Sequence, residues 1–167
     1  PRRCRLRHWT ACAATAYCGE VPGELARMNI DTRIFLPALA MVALTIVVWL
    51  RMYLSRVAEM RRERIHPQAV ALSAQMAERV KDTRAADNFR NLFELPVLFY
   101  LALVVAALSA QVHAAVLGLA WAFVLLRVLH SAIHCSYNKV MHRFQAYLAG
   151  GLVLWTLWGV LAWGLLR

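Results

Sequence analysis

Acidic residues are scarce in this chain. Nine Asp and Glu stand against 19 Lys and Arg, and charged residues make up only 17% of 167 positions while hydrophobic ones make up 61%. So little polar surface cannot coat a soluble globule of this size, and a mean hydropathy of +0.51 agrees. Internal repeats and low-complexity tracts are missing, which excludes solenoid and fibrous architectures. The four cysteines form no CxxC pair, and three of them, Cys4, Cys12 and Cys18, fall in the first 18 residues. That spacing excludes a zinc knuckle and a disulfide framework alike. No basic module interleaved with aromatics is present, so nucleic acid is excluded as a partner.

What is present is apolar sequence in long runs. A helix of about 20 residues crosses a hydrocarbon core of roughly 30 Å, and four stretches meet that length: 34–53, 92–109, 114–136 and 144–166. Strands of a membrane barrel would alternate polar and apolar, whereas "AAVLGLAWAFVLL" is apolar all round. The expected fold class is therefore an all-α membrane protein, a four-transmembrane-helix bundle occupying residues 28–167. Residues 1–27 read as a non-native or disordered extension ahead of a start at Met28, because they hold five arginines and no apolar run long enough for a signal-peptide core.

The basic residues sort by loop. Arg56, Arg61, Arg62, Arg64, Arg79, Lys81 and Arg84 follow the first span and Lys139 and Arg143 follow the third, whereas the connection "SAQVHAA" carries no Lys or Arg. An integral, multi-pass protein with both basic loops cytoplasmic and both termini opposite is expected, in the cell inner membrane, with anionic lipid headgroups as partners. Pro67 divides the first loop into a helix overrunning the membrane, a turn, and a helical lead-in to the second span. Gly150 and Gly151 suggest a seam of close helix packing.

Charged side chains inside a span cost on the order of 3 kcal/mol, so each needs a reason. Arg90, Asn91 and Glu94 come at spacings that place them on one helical face, Arg127, His130 and His134 repeat the arrangement in the third span, and Arg143 and Tyr147 open the fourth. All three stripes lie at the same end of the bundle. One reading makes Glu94 and Arg127 an interhelical ion pair completed by Asn91 and His130, which is structure only. The other notes the excess of arginine over carboxylate, which suits an anionic ligand beside a lipid-supplied apolar one. His130 and His134 lack the further ligands that a metal site needs.

"RNLFELP" and "RVLHSAIHCSYNKVMHRFQAY" resemble the paired signatures of the membrane-associated proteins in eicosanoid and glutathione metabolism, in the manner of a bacterial-type member similar to microsomal glutathione transferase and prostaglandin E synthase. The resemblance spans about Met28 to Arg167. It implies a homotrimer of four-helix subunits holding glutathione as cosubstrate between them. It implies a glutathione-binding set of Arg90, Asn91, Glu94, Arg127, His130 and Tyr147, with Asn91 and Glu94 on peptide and amino groups and Arg127 on carboxylates. Arg143 falls where family enzymes place the arginine that stabilises the thiolate, the nucleophilic form of a thiol of ordinary pKa about 8.5. The implied activity is a glutathione-dependent transferase or peroxidase acting on a lipophilic small molecule. A non-catalytic lipid-binding scaffold of the same fold is the alternative. The chain departs from the family pattern at Asp87, where an arginine is usual, at His134, where a tyrosine is frequent, and at Phe144.

Overall fold

The structure is a computed structural model that describes residues 31–70, 72, 75 and 81–167; the extension expected over residues 1–27 lies outside the described residues. Among the described residues of Asp31–Arg167 all regular structure is helical. Helix α1 spans Phe35–Arg62, α2 Arg84–Asn91, α3 Leu95–Leu108, α4 Ala114–Cys135 and α5 Val140–Leu166, with short 3₁₀ turns at Thr32–Ile34 and Pro67–Val70. Four helical segments are long and apolar enough to cross a membrane, with α2 and α3 counted as one. The bundle expected from the sequence is therefore the observed one, including the overrun of α1 beyond the apolar run and the lead-in helix α2.

The apolar residues are arranged to suit lipid. Leu39, Val42, Ile46 and Val47 of α1 are exposed while Met41 and Val48 are buried, so the helix is apolar on both its faces. The core is built of Ala102, Leu103 and Ala106 from α3, Val116, Ala120 and Val124 from α4, and Leu154, Leu157 and Leu161 from α5. Phe99 stacks on Phe123 at 4.5 Å between ring centres, fixing α3 against α4. Helix α5 packs most extensively on α4. Gly150 and Gly151 are both buried; a methyl group on the first would touch the Arg127 side chain, and on the second Leu95.

One expectation is corrected. The second span is not continuous: the helix stops at Asn91, Leu92–Glu94 form a turn, and α3 restarts at Leu95. The reason lies in Pro96, at the first turn of α3. It has no N–H to give the Leu92 carbonyl, and its ring would collide with that carbonyl in an unbroken helix. Arg90, Asn91 and Glu94 consequently do not share a single helical face.

The turns at the helix ends explain the non-glycine residues with positive φ. Arg64 (φ 51°) ends α1 with Ile65 N–H donating to Met60 O at 2.9 Å, and Ala110 (φ 54°) ends α3 with Gln111 N–H donating to Ala106 O at 3.0 Å. Both are Schellman closures, which favour glycine at the left-handed position. Asn138 (φ 49°) plays a similar part after α4, its N–H donating to Ile133 O at 2.9 Å. Guanidinium groups satisfy the last α4 carbonyls: Arg51 from α1 donates to Cys135 O and Arg84 from α2 to Ser136 O, each at 2.7 Å. The buried Glu59 carboxylate accepts the backbone N–H groups of Lys81 (2.7 Å) and Asp82 (3.3 Å), pinning the returning loop to α1.

Candidate functional site

The break before α3 and the starts and ends of α2, α4 and α5 meet at one end of the bundle. There a cavity of about 240 Å³ is lined by Asn91, Glu94, His130, Val140, Arg143, Phe144 and Tyr147. Five of the sequence-selected residues, Asn91, Glu94, His130, Arg143 and Tyr147, thus stand around one space. The turn at Leu92–Glu94 does not remove Glu94 from the site. Freed from helical geometry, its carboxylate accepts the Tyr147 hydroxyl at 3.3 Å.

The other two are placed differently. Arg127 is 1% exposed and lies behind Tyr147, its guanidinium 4.8 Å from the Tyr147 ring centre and 5.4 Å from that of Phe123. Its two terminal nitrogens have no hydrogen-bond partner among the described residues. The interhelical ion pair between Glu94 and Arg127 is not formed, because Tyr147 stands between them, ring on the cation and hydroxyl on the carboxylate. Among the described residues every ion pair is local in sequence, at Asp31–Arg33, Arg62–Glu63 and Asp82–Arg84. Arg90 is exposed at the end of α2 and is not part of the cavity lining.

Helix α4 is unbroken through its polar stripe, and Arg127, His130 and His134 are all buried on it. His130 Nδ1 lies 3.2 Å from the Arg143 carbonyl oxygen. A carbonyl only accepts, so Nδ1 carries the proton and Nε2, which has no protein partner among the described residues, keeps its lone pair. Arg143 donates from Nη1 to His134 Nε2 at 3.0 Å and to Asn138 Oδ1 at 2.8 Å.

Sequence reasoning passed over the layer beneath. Asn88 is fully buried, accepting from Ser131 Oγ at 3.3 Å and donating to Cys135 Sγ at 3.4 Å, so it ties α2 to α4 under the cavity. Its spacing of three from Asn91 was the available signal. Asn138 could not be found by helical spacing, since it lies in the turn.

Outside the spans, Arg84 donates to the Asp82 carboxylate from Nε (2.9 Å) and Nη2 (3.0 Å), and these hydrogen bonds hold its pKa below the usual carboxylate range.

Four lipid-compatible helical spans around a buried, arginine-bearing polar site define an integral multi-pass membrane protein with a small polar cleft at one end. The model of the MAPEG family matches residues 34–163, most of the chain. The chain belongs to the MAPEG family, and the membership supports a membrane protein of glutathione-related or eicosanoid metabolism in general. Among curated proteins and solved structures, none shows significant similarity to it.

Proposed function

We propose that the protein is a glutathione-dependent transferase or peroxidase that acts on lipophilic electrophiles. The observation that carries this reading is the Arg127 guanidinium, buried behind the cavity-lining Tyr147 with both terminal nitrogens unpartnered among the described residues. A buried cation with no hydrogen-bonded carboxylate suits a ligand that brings one. Glutathione has two carboxylates, an ammonium group and a thiol. Arg127 would take a carboxylate, Glu94 the ammonium, and Asn91 a peptide group, with Tyr147 closing over Arg127. Arg90, at the outer edge, would meet the remaining charge of the ligand.

Arg143 is the catalytic residue in this reading. His134 and Asn138 take the two Nη1 protons, which leaves the Nε and Nη2 donors for a thiolate at the cavity. The free Nε2 lone pair of His130 can accept the thiol proton. The thiolate then forms a bond to an electrophilic carbon while the leaving group departs with its bonding electrons. With a peroxide, it attacks oxygen, the O–O bond breaks to release alcohol, and a second glutathione reduces the sulfenic acid to disulfide and water. Val140 and Phe144 supply an apolar wall where a lipophilic partner would enter.

The cavity of about 240 Å³ falls short of the roughly 300–1,000 Å³ usual for small-molecule sites. A neighbouring subunit completing the pocket, as in a homotrimer, fits that shortfall. The membrane orientation that goes with it puts the basic loops and the site on the cytoplasmic side of the inner membrane. Calorimetric titration of glutathione into detergent-purified protein, followed by turnover of glutathione with 1-chloro-2,4-dinitrobenzene and cumene hydroperoxide, tests the reading. Saturable binding with turnover abolished in Arg143→Ala is the expected result. Well-folded protein that binds lipid but no glutathione would overturn it in favour of a scaffold.

A further inference from the structure

The support of Arg143 is unusual in composition. An arginine is permanently protonated and offers only donors. The contact between Arg143 Nη1 and His134 Nε2 at 3.0 Å therefore requires a ring with an unprotonated Nε2. His134 must be neutral with its proton on Nδ1, a buried atom that has no protein partner among the described residues. The second Nη1 proton goes to Asn138, whose left-handed backbone lets one residue both close the α4–α5 turn and turn its side-chain oxygen to the guanidinium. With Nη1 saturated from behind, the plane of the guanidinium is fixed.

We propose that His134 and Asn138 are positioning residues for Arg143, and that protonation of His134 is an acid switch that releases it. An imidazolium at this place loses the lone pair that Arg143 donates to and sets two cations against each other. Several charged or titratable groups face the ring. Arg143 comes from α5 and His130, on α4 itself, lies 5.6 Å away between ring centres, while Asp87 of α2 is within electrostatic range. Helix α1 brings Arg51 to the same end of α4, bound to the Cys135 carbonyl. Asp87 and His134, two positions at which the chain leaves the pattern it resembles, thus bear on each other. The pH at which the support fails is set by these neighbours together with the burial of the ring.

The kinetic arm of the test rests on the glutathione reading, so a second arm does not. His134→Phe keeps the ring volume and removes the acceptor; His134→Gln keeps an acceptor that does not titrate. Folding of both is checked by gel filtration in detergent. His134→Phe is expected to lower kcat by roughly 10–100-fold, the range for a misplaced catalytic group, with a smaller change in KM for glutathione. His134→Gln should restore most of that loss and remove the part of the acid limb that His134 contributes; any titration of His130 is common to all three proteins. The second arm is nitrogen-15 NMR of labelled histidine in ligand-free protein, where His134 should be the Nδ1–H tautomer and its Nε2 resonance should move in Arg143→Ala. A His134→Phe protein with wild-type kcat and pH profile, or a His134 ring protonated on Nε2 at neutral pH, overturns the inference. If wild-type protein does not turn over glutathione, the proposed activity fails, and the imidazole spectrum still decides whether His134 holds Arg143.

Discussion

Replacing Arg127 with methionine should make the ligand-free protein more stable, which is the reverse of what loss of a large buried side chain ordinarily does. Arg127 is 1% exposed and both of its terminal nitrogens lack a protein partner among the described residues. Each unsatisfied buried group costs about 1–3 kcal/mol, so the pair costs roughly 2–6 kcal/mol. The Tyr147 and Phe123 faces at 4.8 and 5.4 Å return about 0.5–2 kcal/mol each. Taking central values, the guanidinium is a net cost of about 1–2 kcal/mol. Methionine removes the charge and refills much of the space with a flexible apolar chain. In thermal melts followed by circular dichroism, the variant should melt roughly 3–6 °C higher than wild type in detergent. Glutathione at 100 times its Kd should stabilise wild type by about 2.7 kcal/mol and the variant not at all. A variant that melts well below wild type without ligand, and still gains stability from glutathione, would refute the reasoning and make Arg127 structural glue.

Glu59→Ala should destabilise the protein by about 2 kcal/mol in the same melts, since it strips a carboxylate from two backbone donors; Glu59→Gln, which retains an acceptor, should lose less. Ala110→Gly should raise stability by about 0.5–1 kcal/mol, because the left-handed φ of 54° costs an alanine and not a glycine. Asp82 has a lowered pKa through its bonds to Arg84, so its contribution is complete above the ordinary Asp pKa of about 3.9. It should fade as pH falls through the lower folded value, and Asp82→Asn should flatten that part of the acid melting curve.

How much was legible in the sequence varies by residue. The stripe Arg127, His130 and His134 was readable because α4 is regular, so a spacing of three and four fixes the face. Glu94 was selected for a geometry that does not exist, and it still lines the cavity. Pro96 carries the signal for that break, but a proline two residues into an apolar run also reads as an ordinary first-turn proline. The interposition of Tyr147 between Glu94 and Arg127 had no sequence signature. Opposite charges invite the assumption of an ion pair, and only the packing of α5 against α4 shows an aromatic ring in the way.

The sequence by itself determined that the chain is a helical membrane bundle, where its spans lie, and which polar residues sit at one end. These follow from composition, run length and helical period, which are local properties that lipid enforces strictly. The tertiary structure alone decided what those polar residues do to one another: that the Arg127 terminal nitrogens find no partner among the described residues, that Arg143 is held by His134 and Asn138, and that Asn88 braces the layer below. Most of these pairings join residues from different helices across the bundle. Their identity depends on helix rotation and crossing, which no local pattern encodes.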